Sequence, residues 1–300
     1  MPTRNRRLFL GIDGGQSGTT AAIGDETGRI LGTGRARACR HPGAFEAAVS
    51  AAGFADALFQ AACFGLSGGQ PETETAARAA VRAQQYVFTH DAAIALTGAL
   101  GGDPGVIVIA GTGSMAFGRN ADGREARAGG WGYLFGDEGG AFEIVRGALR
   151  AALRQEEGWG ARTALRELLL AATGAESANQ LMHRFYTPEF PRENVAALAP
   201  LVDQAAASGD AVAQELLNAA GQALAALAGV VRARLFGQGE AVTISYSGGV
   251  FRSPAVLARF RMLAELEEGT RVREPRYSPA EGALLIAYRA AGIACTLKKQ

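Results

Sequence analysis

The sequence predicts an α/β protein of two lobes, the second rich in helix, and three observations carry that reading. The chain opens on an apolar run, "LFLGIDGG", and continues as "TTAAIGDETGRILGTGRA", whose glycine-rich breaks mark a strand–turn–strand–turn–strand meander. Strands and helices then alternate up to "GVIVIAGTGS" (105–114), the clearest strand of the chain, which ends in a glycine-rich turn. After Gly113 the pattern begins again with a hairpin, and a long helical stretch follows. A meander followed by alternating strand and helix gives a layered α/β domain with its active residues at strand ends.

The elements follow in order. Residues 44–58 have helical spacing, "AACFGL" (61–66) reads as a buried strand and 72–85 as a helix. "YVFTHD" (86–91) is a strand ending on Asp91, and a short helix runs on through Leu100. "SMAFGRNADGREARAGG" is a hairpin turning at Asp122-Gly123. Helices are expected over 139–156 and 161–173, then over 195–236 with a break near Ser208-Gly209. "AVTISYSGGV" (241–250) is a strand with a Gly-Gly turn, 254–268 a helix, 271–274 a short strand and 279–292 a last helix. No Pro- or Ser-rich linker occurs, so the boundary near 115 is a crossing of the chain and not a tether.

Composition narrows the function. Hydrophobic residues make up 48% and charged residues 20%, as in a globular chain with a real core. A net charge of +1 gives no electrostatic reason to expect nucleic acid or an anionic membrane as partner. No apolar run of the ~20 residues that span a bilayer is expected, and "MPTRNRRLFLGID" passes straight into a strand, so the expected location is cytoplasmic. Cys39, Cys63 and Cys295 are scattered, as are His41, His90 and His183, which suggests neither a disulfide framework nor a zinc or iron–sulfur site. Lys298 and Lys299 are the only lysines, so any phosphate site here works without the lysine of a P-loop.

Three glycine-rich turns follow three predicted strands: Gly14-Gly15, Gly111-Thr112-Gly113 and Gly248-Gly249. Glycine lets backbone N–H groups approach an anion closely, and Thr or Ser hydroxyls add donors. Three aspartates stand near such positions. Asp13, beside the first turn, suits a hydrated divalent cation next to phosphates; its plainer role is an Asp-Gly turn. Asp91 precedes a helix and is a candidate carboxylate, with an N-cap as the plainer role. Asp137 lies in "GGWGYLFGDEGGAF", where Trp131, close glycine backbone and a carboxylate are equipment for gripping a sugar.

The set "GIDGGQSGTT", "GLSGG", "THDAAIA", "GTGS", "GGWGYLFGDEGGAF" and "YSGGVFRSP" resembles the N-acetylglucosamine kinase group of the BadF-type ATPase family, over nearly the whole chain and in the same order. That resemblance implies a two-lobed actin-like ATPase (ribonuclease H-like) fold with a nucleotide cleft between the lobes. The N-terminal lobe would span 1–115, joined by the C-terminal helix 279–300, and the C-terminal lobe 116–278. It implies ATP and Mg²⁺ as cofactors, with Asp13 near Mg²⁺ through water, and Gly14, Gly15, Gln16, Ser17, Gly18 and Thr19 facing the β/γ-phosphates. Thr112 and Gly113 would form the second phosphate loop, and Gly248 and Gly249 would pass beneath the adenosine. Asp91 matches the family's catalytic base, while Gly130, Trp131, Gly132 and Asp137 match its sugar contacts. The implied enzyme is an ATP-dependent kinase of an amino sugar, a cytoplasmic homodimer that closes its lobes around the substrate.

Two departures bear on substrate. "ACRHPGAF" holds no asparagine where relatives place a sugar contact, leaving His41 or Arg40 for that position, and Gln16-Ser17-Gly18 stands where many relatives have Gly-Thr-Lys. N-acetylglucosamine, glucosamine and N-acetylmuramic acid are therefore all candidates. Two rivals remain. "GLSGG" (65–69) fits the G-x-S-x-G of a serine hydrolase using Ser67. Some BadF-type relatives instead couple ATP hydrolysis to a partner protein through an iron–sulfur cluster, which the three cysteines do not suit.

Overall fold

A computed structural model describes residues 6–15, 18–68, 71–188 and 190–298. The chain divides into two compact units, residues 1–105 with 274–300 and residues 106–273.

The first unit is built on β1 (Leu8–Gly14), β2 (Thr19–Asp25) and β3 (Ile30–Ala36), then α1 (Ala44–Ala51), β4 (Leu58–Leu66), α2 (Pro71–Ala80), β5 (Arg82–His90) and α3 (Asp91–Leu100). Its five strands lie in the order β3-β2-β1-β4-β5. The meander is antiparallel, whereas β1, β4 and β5 run parallel, so their carboxyl ends share one edge. Both faces of β1 are buried, as a parallel strand requires. Leu10 and Ile12 join Phe45, Val49 and Phe64 on one side. Phe9 joins Ile94, Leu284 and Tyr288 on the other, where the final helix of the chain returns to the sheet. Gly11 permits that return, because a Cβ there would strike the backbone of Ala280 and Leu284.

The second unit opens with β6 (Gly105–Ala110), β7 (Ser114–Arg119) and β8 (Glu125–Gly129). Helices α4 (Ala141–Glu156), α5 (Leu165–Thr173), α6 (Ala178–Phe185), α7 (Arg192–Ala196), α8 (Ala199–Ala207) and α9 (Ala211–Leu235) follow. The unit closes with β9 (Val242–Ser247), a 3₁₀ turn (Gly249–Arg252), α10 (Pro254–Ala264) and β10 (Thr270–Val272), after which α11 (Pro279–Ala290) rejoins the first unit. The strand order is β10-β9-β6-β7-β8. Two α/β units of this construction, each a five-stranded sheet with helices packed on it, make the actin-like, ribonuclease H-like fold.

Several expectations need correcting. The boundary falls at Gly105, the first residue of β6, and not near 115, because β6 pairs with β9 inside the second sheet. The helix expected to reach 58 stops at Ala51, as Gly53 turns left-handed at φ 87° and β4 begins at Leu58. The helix expected over 72–85 ends at Ala80, and Arg82 to Gln85 belong to β5. There Tyr86 ties the strand entry, its hydroxyl donating to Val81 O at 2.6 Å and accepting from Ala83 N at 3.0 Å. Among the described residues one helix, α9, is long and apolar enough to cross a membrane, with a mean hydropathy of 1.3, although no such run was expected. In the fold it is a core helix, with Leu217, Leu224 and Val231 buried.

Candidate active site

In the first unit the site is an edge of strand ends. Asp13 on β1 is in register with Gly65 on β4, which pairs with Thr89 on β5, and Gly14, Leu66 and His90 form the next row. Asp91 follows that row directly. Gly65 is small for a reason, since a Cβ there would run into the Ile94 side chain of α3. The carboxyl ends of parallel strands are where open α/β sheets bind ligands.

The first glycine turn is held from three sides. Gly15 N donates to Gly18 O at 2.9 Å across the hairpin. Gly14 O accepts from Ser67 N at 3.1 Å and from the Cys39 thiol at 3.3 Å, and Cys39 N donates to Gly15 O at 3.3 Å. Gln16 and Ser17 lie outside the described residues. Thr19 is 1% exposed and its Oγ1 is buried with no partner. Cys39 is a contact that the sequence does not signal, because a scattered cysteine points to neither a disulfide nor a metal and a thiol's bond to a distant carbonyl leaves no pattern. Its neighbours Arg40 and His41 are exposed.

His90 and Asp91 divide the work of starting α3. His90 is the N-cap, its Nδ1 accepting from Ala93 N at 3.2 Å, so the plainer reading of Asp91 as the cap does not hold. Asp91 stands at the first helical position, its Oδ1 accepting from Ala92 N at 2.8 Å. Its charge is felt across the edge. Burial first, and then the Asp91 carboxylate, push the Asp13 carboxyl up from 3.8 to about 6. Two neighbouring carboxylates, one largely desolvated, are a hard-oxygen donor set that a hydrated Mg²⁺ fits and would neutralise. No group of three or more acidic, His or Cys side chains forms a metal cage among the described residues.

In the second unit, two motifs far apart in sequence form one structure. The turn 111–113 closes through Gly111 N to Gly113 O at 2.9 Å. The amides that open α4 bind this turn, Ala141 N to Gly111 O at 2.9 Å and Phe142 N to Thr112 O at 3.1 Å. Ser114 Oγ donates to Glu138 O at 2.6 Å, and Gly130 N donates to Ser114 O at 3.0 Å. Asp137 is 6% exposed, with Oδ1 accepting from Ser114 N at 3.3 Å. Its carboxyl fills the space where Gly113 would carry a Cβ. Asp137 is also the one non-glycine residue with positive φ (65°) among those described, backbone strain of the kind found at working sites.

Around this carboxylate, Gly130 and Gly132 are left-handed, and Trp131, Leu134 and Phe135 are exposed. Arg127 stacks over the Trp131 ring at 4.9 Å. Arg192, unremarked in the sequence, faces Asp137 Oδ2 at 3.8 Å and stacks over Tyr133 at 5.3 Å. Gly248 (φ 108°) lies against the backbone of Ala110, so the β9 and β6 ends meet, and Gly249 starts the 3₁₀ turn. The structure thus gathers Asp13, Gly14, Gly15, Gly18, Thr19 and Asp91 at one edge of the first unit. It gathers Thr112, Gly113, Gly130, Trp131, Gly132 and Asp137 in the second, with Gly248 and Gly249 at the neighbouring strand end.

These glycine turns and strand-end carboxylates, on this fold, define an ATPase-type phosphotransferase. Residues 10–287 match the BadF/BadG/BcrA/BcrD ATPase family, and the chain belongs to it. It is 32% identical over 234 residues to the N-acetylmuramic acid/N-acetylglucosamine kinase of Clostridium acetobutylicum, covering 76% of each chain. It is 26% identical to the N-acetyl-D-glucosamine kinase of Dictyostelium discoideum, over 94% of this chain and 98% of the other. Among solved structures, one described as a candidate N-acetylglucosamine kinase from Chromobacterium violaceum superposes with a TM-score of 0.77 at 27% identity, covering 94% of this chain and 99% of the other. The chain is an ATP-dependent phosphotransferase of the sugar-kinase kind.

Proposed function

We propose that the protein transfers the γ-phosphoryl group of ATP to a hydroxyl of an amino sugar, N-acetylglucosamine first among the candidates, with Asp91 as general base. The observation that carries this is the placement of Asp91. It directly follows a parallel strand, it is relieved of capping by His90, and it lies near enough to Asp13 to raise that carboxyl. A carboxylate so placed is available to take the proton of a sugar hydroxyl as the hydroxyl attacks phosphorus.

The remaining residues position and neutralise. Backbone amides of Gly14, Gly15 and Gly18, with Thr19, would offer donors to phosphate in the first unit, and Thr112 and Gly113 would do so in the second. Gly248 and Gly249 would pass beneath the adenosine. Asp13 would hold Mg²⁺ through water, and the ion would supply charge neutralisation at the β- and γ-phosphates. Gly130, Trp131, Gly132 and Asp137 would receive the sugar, its apolar face against the indole. Arg127, exposed and stacked on Trp131, offers a cation to a sugar carrying a carboxylate, which favours N-acetylmuramic acid as a second substrate. A cytoplasmic homodimer belongs to the same proposal, with sedimentation velocity as its check.

ADP release from ATP and Mg²⁺ tests the reading against N-acetylglucosamine, glucosamine, N-acetylmuramic acid, glucose and no sugar. Strong stimulation by an amino sugar is the expected result. Steady ADP release that ignores sugar would instead make the protein an ATPase serving a partner.

A further inference from the structure

Asp137 raises an electrostatic problem that the proposed reaction does not itself solve. Its carboxylate is 6% exposed, bonded to Ser114 N and packed on Gly113, against the turn assigned to the anionic tail of ATP. An uncompensated buried anion there would repel the polyphosphate. Two like charges a few ångströms apart repel far more strongly at a partly buried position than in bulk water. The side chain facing the outer oxygen is Arg192, its Nη1 at 3.8 Å from Oδ2.

Arg192 is held where it can act. Its helix, α7, is anchored in the core by Val195 (1% exposed) and Ala196 (8%), which fixes the backbone at its first residue. The guanidinium packs over the Tyr133 ring at 5.3 Å, so the loop carrying Trp131 and Asp137 also fixes its cation. A planar, permanently charged group suits a stacked, half-buried position better than a flexible ammonium. Among the described residues, no other ion pair to Asp137 is present.

We infer that Arg192 is a positioning residue that neutralises Asp137 and so keeps the Gly111–Ser114 turn open to the phosphates of ATP. The inference rests on the phosphate role proposed for that turn. It gives Arg192 no contact with the sugar or with the reacting atoms.

Direct binding of Mg-ATP and of AMP to the full chain tests it, using wild type, Arg192→Met, Arg192→Lys and the double variant Asp137→Asn/Arg192→Met. Arg192→Met is expected to weaken Mg-ATP about tenfold, a fraction of the bare charge repulsion, and to leave AMP almost unchanged. Arg192→Lys should recover part of that loss. The double variant, which removes both charges, should bind Mg-ATP close to the wild-type level, and it also keeps the test valid if the single variant folds poorly. Unaltered Mg-ATP binding by Arg192→Met would overturn the inference. So would a double variant as weak as Arg192→Met, or equal losses for Mg-ATP and AMP, which would mark Arg192 as merely structural. A wild-type protein that binds no nucleotide would overturn the functional reading itself, and this inference with it.

Discussion

The His90 side chain, and not that of Asp91, caps helix α3: its Nδ1 accepts the Ala93 amide at 3.2 Å. Cap and proposed base are therefore adjacent residues with separable effects. Loss of an N-cap acceptor costs about 1 kcal/mol, so His90→Ala should lower Tm by roughly 2–4 °C. Asp91→Asn keeps the shape and removes the proton acceptor, so turnover should fall roughly 10²- to 10⁴-fold while ATP still binds. Steady-state rates and nucleotide binding on both variants check this. An Asp91→Asn enzyme with near-normal kcat would remove Asp91 from the role of base.

Asp13 should give the protein a pH signature. Its carboxyl is raised from 3.8 to about 6, by burial first and by Asp91 second. Between those two values the native state binds more protons than the unfolded chain, so stability falls as pH rises through this window. The cost of ionisation reaches roughly 2–3 kcal/mol above pH 6, and Asp13→Asn escapes it. Without metal, Tm of the wild type should therefore drop between pH 4 and 7 relative to Asp13→Asn. Mg²⁺ needs the ionised form, so its stabilising effect should grow with pH through about 6. In Asp91→Asn the midpoint should move down, since one of the two causes is gone. Parallel Tm profiles for wild type and Asp13→Asn would show that Asp13 is not raised.

Much of this arrangement was legible in the sequence because strand ends and glycine turns are local signals. The meander, the run ending at Ala110 and the Asp122-Gly123 hairpin can each be read from a few consecutive residues. The limits of α1 and α2 were not legible. Ala-rich segments satisfy helical spacing beyond their ends, and it is pairing of Leu58 with Arg82 that claims those residues for the sheet. Three participants hidden from the sequence have one cause in common. Cys39 matters through Gly14, His90 through Ala93 and Arg192 through Asp137, and only the Ala93 partner lies close by in sequence. Even that one is not a readable cap, because histidine is not among the residues preferred at N-caps and the adjacent Asp91 is.

Gly11 tests how α11 is docked. A Cβ at this position would collide with the backbone of Leu284 and Ala280, neither of which can turn aside as a side chain could. Gly11→Ala should destabilise the first unit by about 3 kcal/mol or more, the scale of a severe overpacking change. Gly249, with open space around its missing Cβ, is the matched control, and Gly249→Ala should cost less than about 1 kcal/mol. Urea unfolding of the two variants decides it. A Gly11→Ala protein of wild-type stability would mean that α11 can lift off β1 at little cost.

Asp137 separates backbone strain from side-chain chemistry. At φ 65° an alanine is strained where a glycine is not, so Asp137→Gly should be more stable than Asp137→Ala by about 1 kcal/mol. Both lose the acceptor for Ser114 N and the proposed sugar contact, so both should raise the KM for amino sugar by a similar factor. Neither leaves an anion beside the Gly111–Ser114 turn, so the KM for ATP should change less than that for sugar. Tm and the two KM values, measured on both variants, tell the two effects apart. Equal losses for sugar and ATP would reduce Asp137 to a buried strut of the turn. A sugar KM that followed stability, worse in Asp137→Ala than in Asp137→Gly, would place the effect in the backbone and not in the carboxylate.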